Sequence, residues 1–347
     1  MQYTTLGHTG LVVSRLAFGA MTFGTGEMVP GVTNDIDQTV ADQMVNRALD
    51  AGINLFDTAD AYTGGQSEII LGKALSHRRH ETVIATKVGF RAGNAITDTG
   101  LSYRHIISSA EASLKRLGTD YIDLYQLHIP DPLTPIEETV RALDDLVRRG
   151  LVRYVGFSNF PAWKAALMLG IQQVNGYARF VAAQMYYSLL GRDIEQEMVP
   201  FVEDTGIGIL VWSPLASGFL GGKYTRATPV PEDSRRQNFQ FPPVDVEQGY
   251  EVVDVLKEIA QNHGASPAQV AIAWILTKPF ISSVIIGANK MQHLENNLGA
   301  VELKLAASVV EKLDALTHPQ PLYPGWMQNM GWDTKVKAAL DPSGTEL

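Results

Sequence analysis

Short apolar runs alternate with longer stretches of 3.6-residue periodicity along almost the whole chain. The runs Leu16–Gly19, Asn54–Asp57, Thr82–Lys87, Ile122–His128, Val152–Gly156, Val181–Met185, Gly208–Trp212 and Ile281–Ile286 read as buried strands. Between them Asp35–Ala51, Tyr103–Leu117, Pro135–Arg149 and Pro161–Asn175 each carry one apolar stripe and read as helices, with Thr134 as a cap before Pro135. The pairs Glu111/Lys115, Glu137/Arg141 and Asp144/Arg148 have the spacing of solvated ion pairs on helix surfaces. Strands that each lead into a helix need crossovers, and so pair in parallel. Eight such units close an α/β barrel of the (β/α)8 TIM type.

A doubly wound sheet would give the same alternation. It should carry G-x-G-x-x-G after its first strand, and Gly19-Ala20-Met21-Thr22-Phe23-Gly24 fails at the third position. Tyr3-Thr4-Thr5-Leu6 and Leu11-Val12-Val13 flank a Gly-bounded turn and predict an N-terminal β-hairpin. Two segments interrupt the repeat. Tyr224–Gln248 is a long loop rich in proline and charge after strand 7, where a flap would sit. Residues 319–347 form a C-terminal extension containing Tyr323, Trp326 and Trp332, which suggests a tail packed near the barrel mouth on a barrel spanning residues 1–318.

Composition narrows the classes without choosing among them. A core this size is affordable for 347 residues of which 45% are apolar, in one barrel with insertions. A net charge of −9 and no basic run argue against a nucleic-acid partner. The absence of cysteine removes disulfides, thiolate metal sites and cysteine nucleophiles, and suits a cytoplasmic setting. No signal peptide, membrane span or glycosylation sequon is visible.

Chemistry in such a barrel gathers at the C-terminal rim. The strand ends here read Asp57, Lys87, His128, Ser158-Asn159, Gln184, Trp212-Ser213 and Gly287. Three ionisable groups closing three consecutive apolar strands point to a shared site. Tyr62 follows Asp57 by one short loop. A tyrosine of pKa about 10 is a weak acid near neutral pH. A Lys87 ammonium held by Asp57 is expected to lower that value, while His128 orients a substrate oxygen. Such a corner donates a proton and stabilises an oxyanion but supplies no electrons. A Schiff-base role for Lys87 is the rival at that position. His77-Arg78-Arg79-His80 reads as surface rather than a metal site, since no third ligand is suggested.

These motifs resemble the aldo-keto reductase family over roughly residues 1 to 316. The resemblance rests on Leu55-Phe56-Asp57-Thr58-Ala59-Asp60-Ala61-Tyr62, on Ala85-Thr86-Lys87, on Asp123-Leu124-Tyr125-Gln126-Leu127-His128 and on Gly156-Phe157-Ser158-Asn159-Phe160. It implies a catalytic tetrad of Asp57, Tyr62, Lys87 and His128, with Tyr62 protonating the carbonyl oxygen as a hydride reaches carbon. It also implies a nicotinamide cofactor, NADPH by the family's habit, with NADH as the other candidate. Ser158, Asn159 and Gln184 would hold the carboxamide, and Trp212 would stand where the family stacks a tyrosine on the nicotinamide ring. Gly19 and Met21 would line the same site. Ser213, Leu215, Ser217, Gly218 and Lys223 would meet the pyrophosphate through small residues and one charge.

The adenosine segment Gly287, Asn289, Lys290, His293, Asn296 and Asn297 departs from the family pattern. Relatives commonly carry arginine, glutamine and glutamate at 289, 293 and 296, and the arginine is the usual partner of the 2′-phosphate. Lys290, Arg235 and Arg236 are the substitutes in reach. Pocket residues are expected among Met21, Phe23, Phe90, Tyr323, Trp326 and Met327, suggesting an apolar or stacking carbonyl substrate. The alternative reading is a nicotinamide-binding regulatory subunit, like the potassium-channel β subunits of the same fold.

Overall fold

The computed structural model describes residues 1–29, 32–230, 235–237, 239–331 and 333–340. Eight parallel strands close a barrel: β1 (Leu16–Gly19), β2 (Leu55–Asp57), β3 (Val83–Val88), β4 (Ile122–Leu127), β5 (Val152–Ser158), β6 (Phe180–Tyr186), β7 (Gly208–Trp212) and β8 (Ile281–Gly287). Each pairs with its sequence neighbour, and β8 returns to β1 through Gly287 opposite Gly19. The expected strands are therefore present, several running one or two residues further toward the rim.

Helices fill every crossover: α1 (Gln38–Asp50), α2 (Gln66–Leu75), α3 (Tyr103–Leu117), α4 (Ile136–Arg148), α5 (Ala162–Asn175), α6 (Met198–Thr205), α7 (Val246–His263), α8 (Pro267–Leu276) and α9 (Met291–Leu298), followed by α10 (Ala307–Leu316). None of the described helices is long and apolar enough to cross a membrane.

Two apolar layers result from the period-2 alternation of the strands. Side chains on the outer faces join the helices in the larger core. Inward-facing Ala17, Leu55, Ala85, Leu124, Ala182, Leu210 and Ile285 fill the barrel, and the hairpin Tyr3–Thr5/Val12–Ser14 plugs its floor with Leu6 and Val13. With the floor closed and the middle apolar, the polar inward residues sit at the rim.

Three local expectations fail for identifiable reasons. The first helix starts at Gln38, because Asp37 caps Val40 N, and Val32–Ile36 pairs instead with Gly24–Val29 in a second hairpin. Thr134 is not a helix cap: its hydroxyl donates to Asp131, and α4 begins behind Pro135 without a side-chain cap. Of the three spaced ion pairs only Arg148–Asp144 forms, at 2.5 Å. Glu111 turns to Arg149 of the neighbouring helix, and Arg141 lies over the Tyr103 ring.

Gly72 on α2 is buried with no room for a Cβ, which would overlap the Leu117 carbonyl at the end of α3. Gly72→Ala should therefore lower stability by about 1–3 kcal/mol despite alanine's better helix propensity. An unchanged urea midpoint would show that α2 and α3 pack less closely than described.

Candidate active site

Alternation along the strands carries Asp57 inward at the end of β2, Lys87 on β3, Gln126 on β4 and Gln184 on β6. Register sets them level: Lys87 is opposite Gln126, Gln184 opposite Ser158, and Asp57 opposite Gly19. Gly19 is required there, since a Cβ would come within 2.8 Å of Ile285. His128 lies just past β4, its amide still donating to the Val88 carbonyl at 2.8 Å.

Tyr62 reaches this layer from a short 3-10 turn, Tyr62–Gly65, that the second hairpin clamps. Asn34 Nδ2 donates to the Thr63 hydroxyl at 3.0 Å and to the Met21 carbonyl at 2.9 Å. Gly24, with φ +115, allows the close approach, because any Cβ would meet Thr63 at 2.7 Å. The loop before the turn is bound to the barrel by backbone bonds from Thr58 to Ala85 and from Asp60 to Lys87.

Within the site Lys87 Nζ donates to Asp57 Oδ1 at 2.6 Å, to the Thr58 carbonyl at 2.7 Å and to the Tyr62 hydroxyl at 3.3 Å. Lys87 is fully buried. Burial opposes its charge, but Asp57 and Tyr62 outweigh it, so its pKa is raised and it stays an ammonium. Gln184 Nε2 donates to the other Asp57 oxygen at 2.7 Å. Burial pushes Tyr62 up, and the Lys87 charge recovers only part of that rise. The expected net lowering by Lys87 is thus reversed by desolvation. His128 stands edge-on to Tyr62 with ring centroids 5.6 Å apart, and burial beside Lys87 drives its pKa well below the usual histidine value. It is a neutral imidazole at neutral pH, and its Nδ1 has no partner among the described residues.

The residues expected to hold the carboxamide, Ser158, Asn159 and Gln184, are gathered but internally engaged. Ser158 Oγ donates to the Gln184 carbonyl at 2.8 Å, and Asn159 Nδ2 donates to the His128 carbonyl at 3.0 Å. Asn159 is left-handed, with φ 61, and its Oδ1 accepts from Trp212 Nε1 at 3.1 Å. Trp212 carries Phe241 of the long loop stacked on it, centroids 5.6 Å apart and planes 9° from parallel.

After β7 the backbone takes a run of left-handed residues: Ser213, Ala216, Ser217, Gly218 and Gly222. Non-glycine residues there are strained by about 1 kcal/mol or more each, and clusters of them mark functional loops. Half-buried Leu215 lies inside this loop. The amides of Ala216, Ser217, Phe219, Leu220 and Gly221 donate within the loop itself, while open space around Gly218 and Gly221 and the charge of Lys223 leave a surface whose chemistry fits the anionic diphosphate of the expected cofactor.

At the end of β8, beyond exposed Gly287, the Asn289 and His293 side chains bond at 2.8 Å. Burial lowers the His293 pKa, and the charges of Lys290 and Lys223 lower it further, so this end of the site is electropositive. Asn297 is buried and Asn296 half-buried on α9. Arg236 turns inward, donating to the Pro242 carbonyl at 2.9 Å, whereas the Arg235 side chain lies outside the described residues.

The pocket candidates divide. Phe90 packs edge-on against His128 at 4.6 Å. Phe23 is fully buried against Phe18 and belongs to the core, which corrects its assignment to the mouth. Residues of the tail bond to Gln196 on the β6 loop, while Tyr323, Trp326 and Met327 stay largely exposed. Trp332 lies outside the described residues. Among the described residues no His, Cys, Asp or Glu cluster suits a metal, His77 and His80 included.

Gln126, buried at the level of Lys87 with Nε2 3.5 Å from Asp57, escaped the sequence reading. The alternation Leu124, Gln126, His128 was its signal. Phe241 gave none, because the long loop has no period.

Residues 15–318 match the model of the aldo/keto reductase family. The chain is 37% identical over 332 residues to a protein named "probable voltage-gated potassium channel subunit beta" from Oryza sativa subsp. japonica, covering 92% of this chain and 98% of that one. It is 34% identical over 346 residues to versiconal hemiacetal acetate reductase of Aspergillus parasiticus, covering 94% and 99%. An uncharacterized oxidoreductase of Bacillus subtilis is 36% identical over 329 residues, covering 90% and 95%.

Proposed function

The chain belongs to the aldo/keto reductase family of oxidoreductases, and on that premise we propose that it reversibly reduces an aldehyde or ketone to the alcohol, with Tyr62 as proton donor. The observation that carries this reading is the buried chain Asp57–Lys87–Tyr62, at 2.6 and 3.3 Å, beside a neutral His128.

Bound NADPH would supply the hydride to the carbonyl carbon. As charge develops on the carbonyl oxygen, Tyr62 donates its proton there, and the Lys87 ammonium takes up the phenolate charge left behind. Asp57 keeps Lys87 charged and fixed; Gln184 and Gln126 keep Asp57 fixed. The raised pKa of Tyr62 keeps the phenol protonated but makes it a weaker acid, so its proton transfer depends on the Lys87 ammonium stabilising the phenolate as it forms. An unpartnered lone pair costs less than an unpartnered N–H, which favours His128 with its proton on Nε2, aimed as a donor to the substrate oxygen. A Schiff-base role is disfavoured because Lys87 is held as an ammonium. Purified protein should oxidise NADPH in the presence of nitrobenzaldehyde or related carbonyls; no turnover across a broad panel would sink this reading.

For the cofactor, the positive charges of Lys290 and Lys223 act together at His293, in the segment where relatives commonly carry an arginine, which supports NADPH over NADH. Lys290→Gln should weaken NADPH binding roughly 10-fold or more and leave NADH binding nearly unchanged, whereas Lys223→Gln, at the pyrophosphate common to both, should weaken the two alike, read by fluorescence titration. Equal weakening of both cofactors by Lys290→Gln would place Lys290 away from the 2′-phosphate.

The names of several relatives favour a second reading, a nicotinamide-binding regulatory subunit. Tight cofactor binding without carbonyl turnover would support it.

A further inference from the structure

Behind the tetrad, on the outer side of the barrel, lies a buried acidic cluster that the proposed chemistry does not use. Glu68 of α2 is fully buried, with one oxygen accepting from Thr86 at 2.6 Å and the other from Arg116 of α3 at 2.6 Å. Arg116 passes beneath Gly65, where a Cβ would stand 2.8 Å from its side chain. Asp60 lies two residues before Tyr62 and is 1% exposed. Neither of its carboxyl oxygens has a hydrogen-bond partner among the described residues.

The neighbours of Asp60 are already committed. Arg116 serves Glu68, and Lys87 serves Asp57, the Thr58 carbonyl and Tyr62. Glu68 from α2, Arg116 from α3 and Lys87 from β3 face the carboxyl, with Tyr125 of β4 and Tyr62 on its own segment. The adjacent Ala61 amide falls outside hydrogen-bonding geometry but still pulls the carboxyl toward ionisation, more than Lys87 does. An ionised carboxyl left without donors in such surroundings is strongly disfavoured. A neutral one is tolerable.

We propose that Asp60 is carried as a neutral carboxylic acid and acts as a positioning residue for Tyr62, whose proton donation fails when Asp60 ionises. The positioning half rests on the reductase reading above. An ionised Asp60 must draw Lys87 or Arg116 from its present partner, or open its segment to water. Either change disturbs the backbone bond from Asp60 N to the Lys87 carbonyl and the turn that starts two residues later. Burial, reinforced by the Glu68 charge, pushes the Asp60 carboxyl up to about 8 against the pull of Arg116 and Lys87, which places the switch in the mildly alkaline range.

Asp60→Asn mimics the neutral acid at nearly constant volume. The native folded value lies above the ordinary 3.8, so the native chain binds one proton more when folded and loses stability as pH rises from about 4 to about 8. The variant has no such loss. Its unfolding midpoint should exceed the native one by a margin that widens over that interval and is flat above it. In carbonyl reduction the native kcat should fall roughly tenfold per pH unit above about 8, with the variant's fall displaced to higher pH and KM little changed.

A stability margin independent of pH would overturn the neutral acid. Infrared spectra of the native chain decide the same point without a variant, through a protonated-carboxyl band that disappears above pH 8. A widening margin with superimposed kcat profiles would overturn the positioning role. Absence of turnover in both proteins, with the margin still widening, would remove the reductase reading and the positioning role with it, and leave the neutral acid standing.

Discussion

Tyr62→Phe is expected to lower carbonyl reduction by about 10²–10⁴-fold, the usual contribution of a positioned general acid, while nicotinamide binding changes little. The phenol hydroxyl makes one long hydrogen bond, 3.3 Å from Lys87 Nζ. Removing it leaves a buried ammonium that keeps Asp57 Oδ1 and the Thr58 carbonyl as acceptors, so the fold should lose little. The ring, edge-on to His128, stays in place. Activity and folding therefore separate in this variant. Steady-state rates with one good aldehyde, alongside a cofactor titration, measure both. A variant within a factor of a few of the native rate would remove Tyr62 as the donor, whatever its effect on affinity.

Lys87→Met should be damaging in both respects. It removes the charge that stabilises the phenolate and leaves the Asp57 carboxylate buried, with glutamine amides as its remaining side-chain partners. Breaking one side of a buried pair costs about 3–5 kcal/mol, and the two Gln contacts place this site toward the lower end. The urea midpoint should fall accordingly, and kcat should drop at least as far as in Tyr62→Phe. Measuring both discriminates between roles: a large kcat loss at native stability would mean that Asp57 had already found other compensation. Native-like kcat would mean that Lys87 only holds the fold.

Much of this was visible in the chain because barrels repeat. Strand positions follow from apolar runs of period 2, and the rim residues are those at which an apolar run ends in Asp57, Lys87 or His128. The Asn34 hairpin was hidden because Asp35 and Ile36 continue smoothly into a helical pattern, and only the Asp37 cap and the pairing with Gly24–Val29 end it. Thr134 failed as a cap for a similar reason: Asp131, three residues earlier, competes for its hydroxyl.

The sequence by itself determined the barrel, the order of its strands and Asp57, Tyr62, Lys87 and His128 as a candidate group, since strand positions follow from local pattern and the rim residues are those at which the strands end. Tertiary structure alone decided their acid–base character. Desolvation depends on everything packed around a group, so it raised Tyr62 where a single neighbouring charge predicted lowering, neutralised His128, and left Asp60 buried with no hydrogen-bond partner among the described residues. It also decided which long-range partners meet: Phe241 on Trp212 and Arg116 on Glu68. Those contacts join segments whose separation in sequence carries no period, and only the closed barrel brings them together.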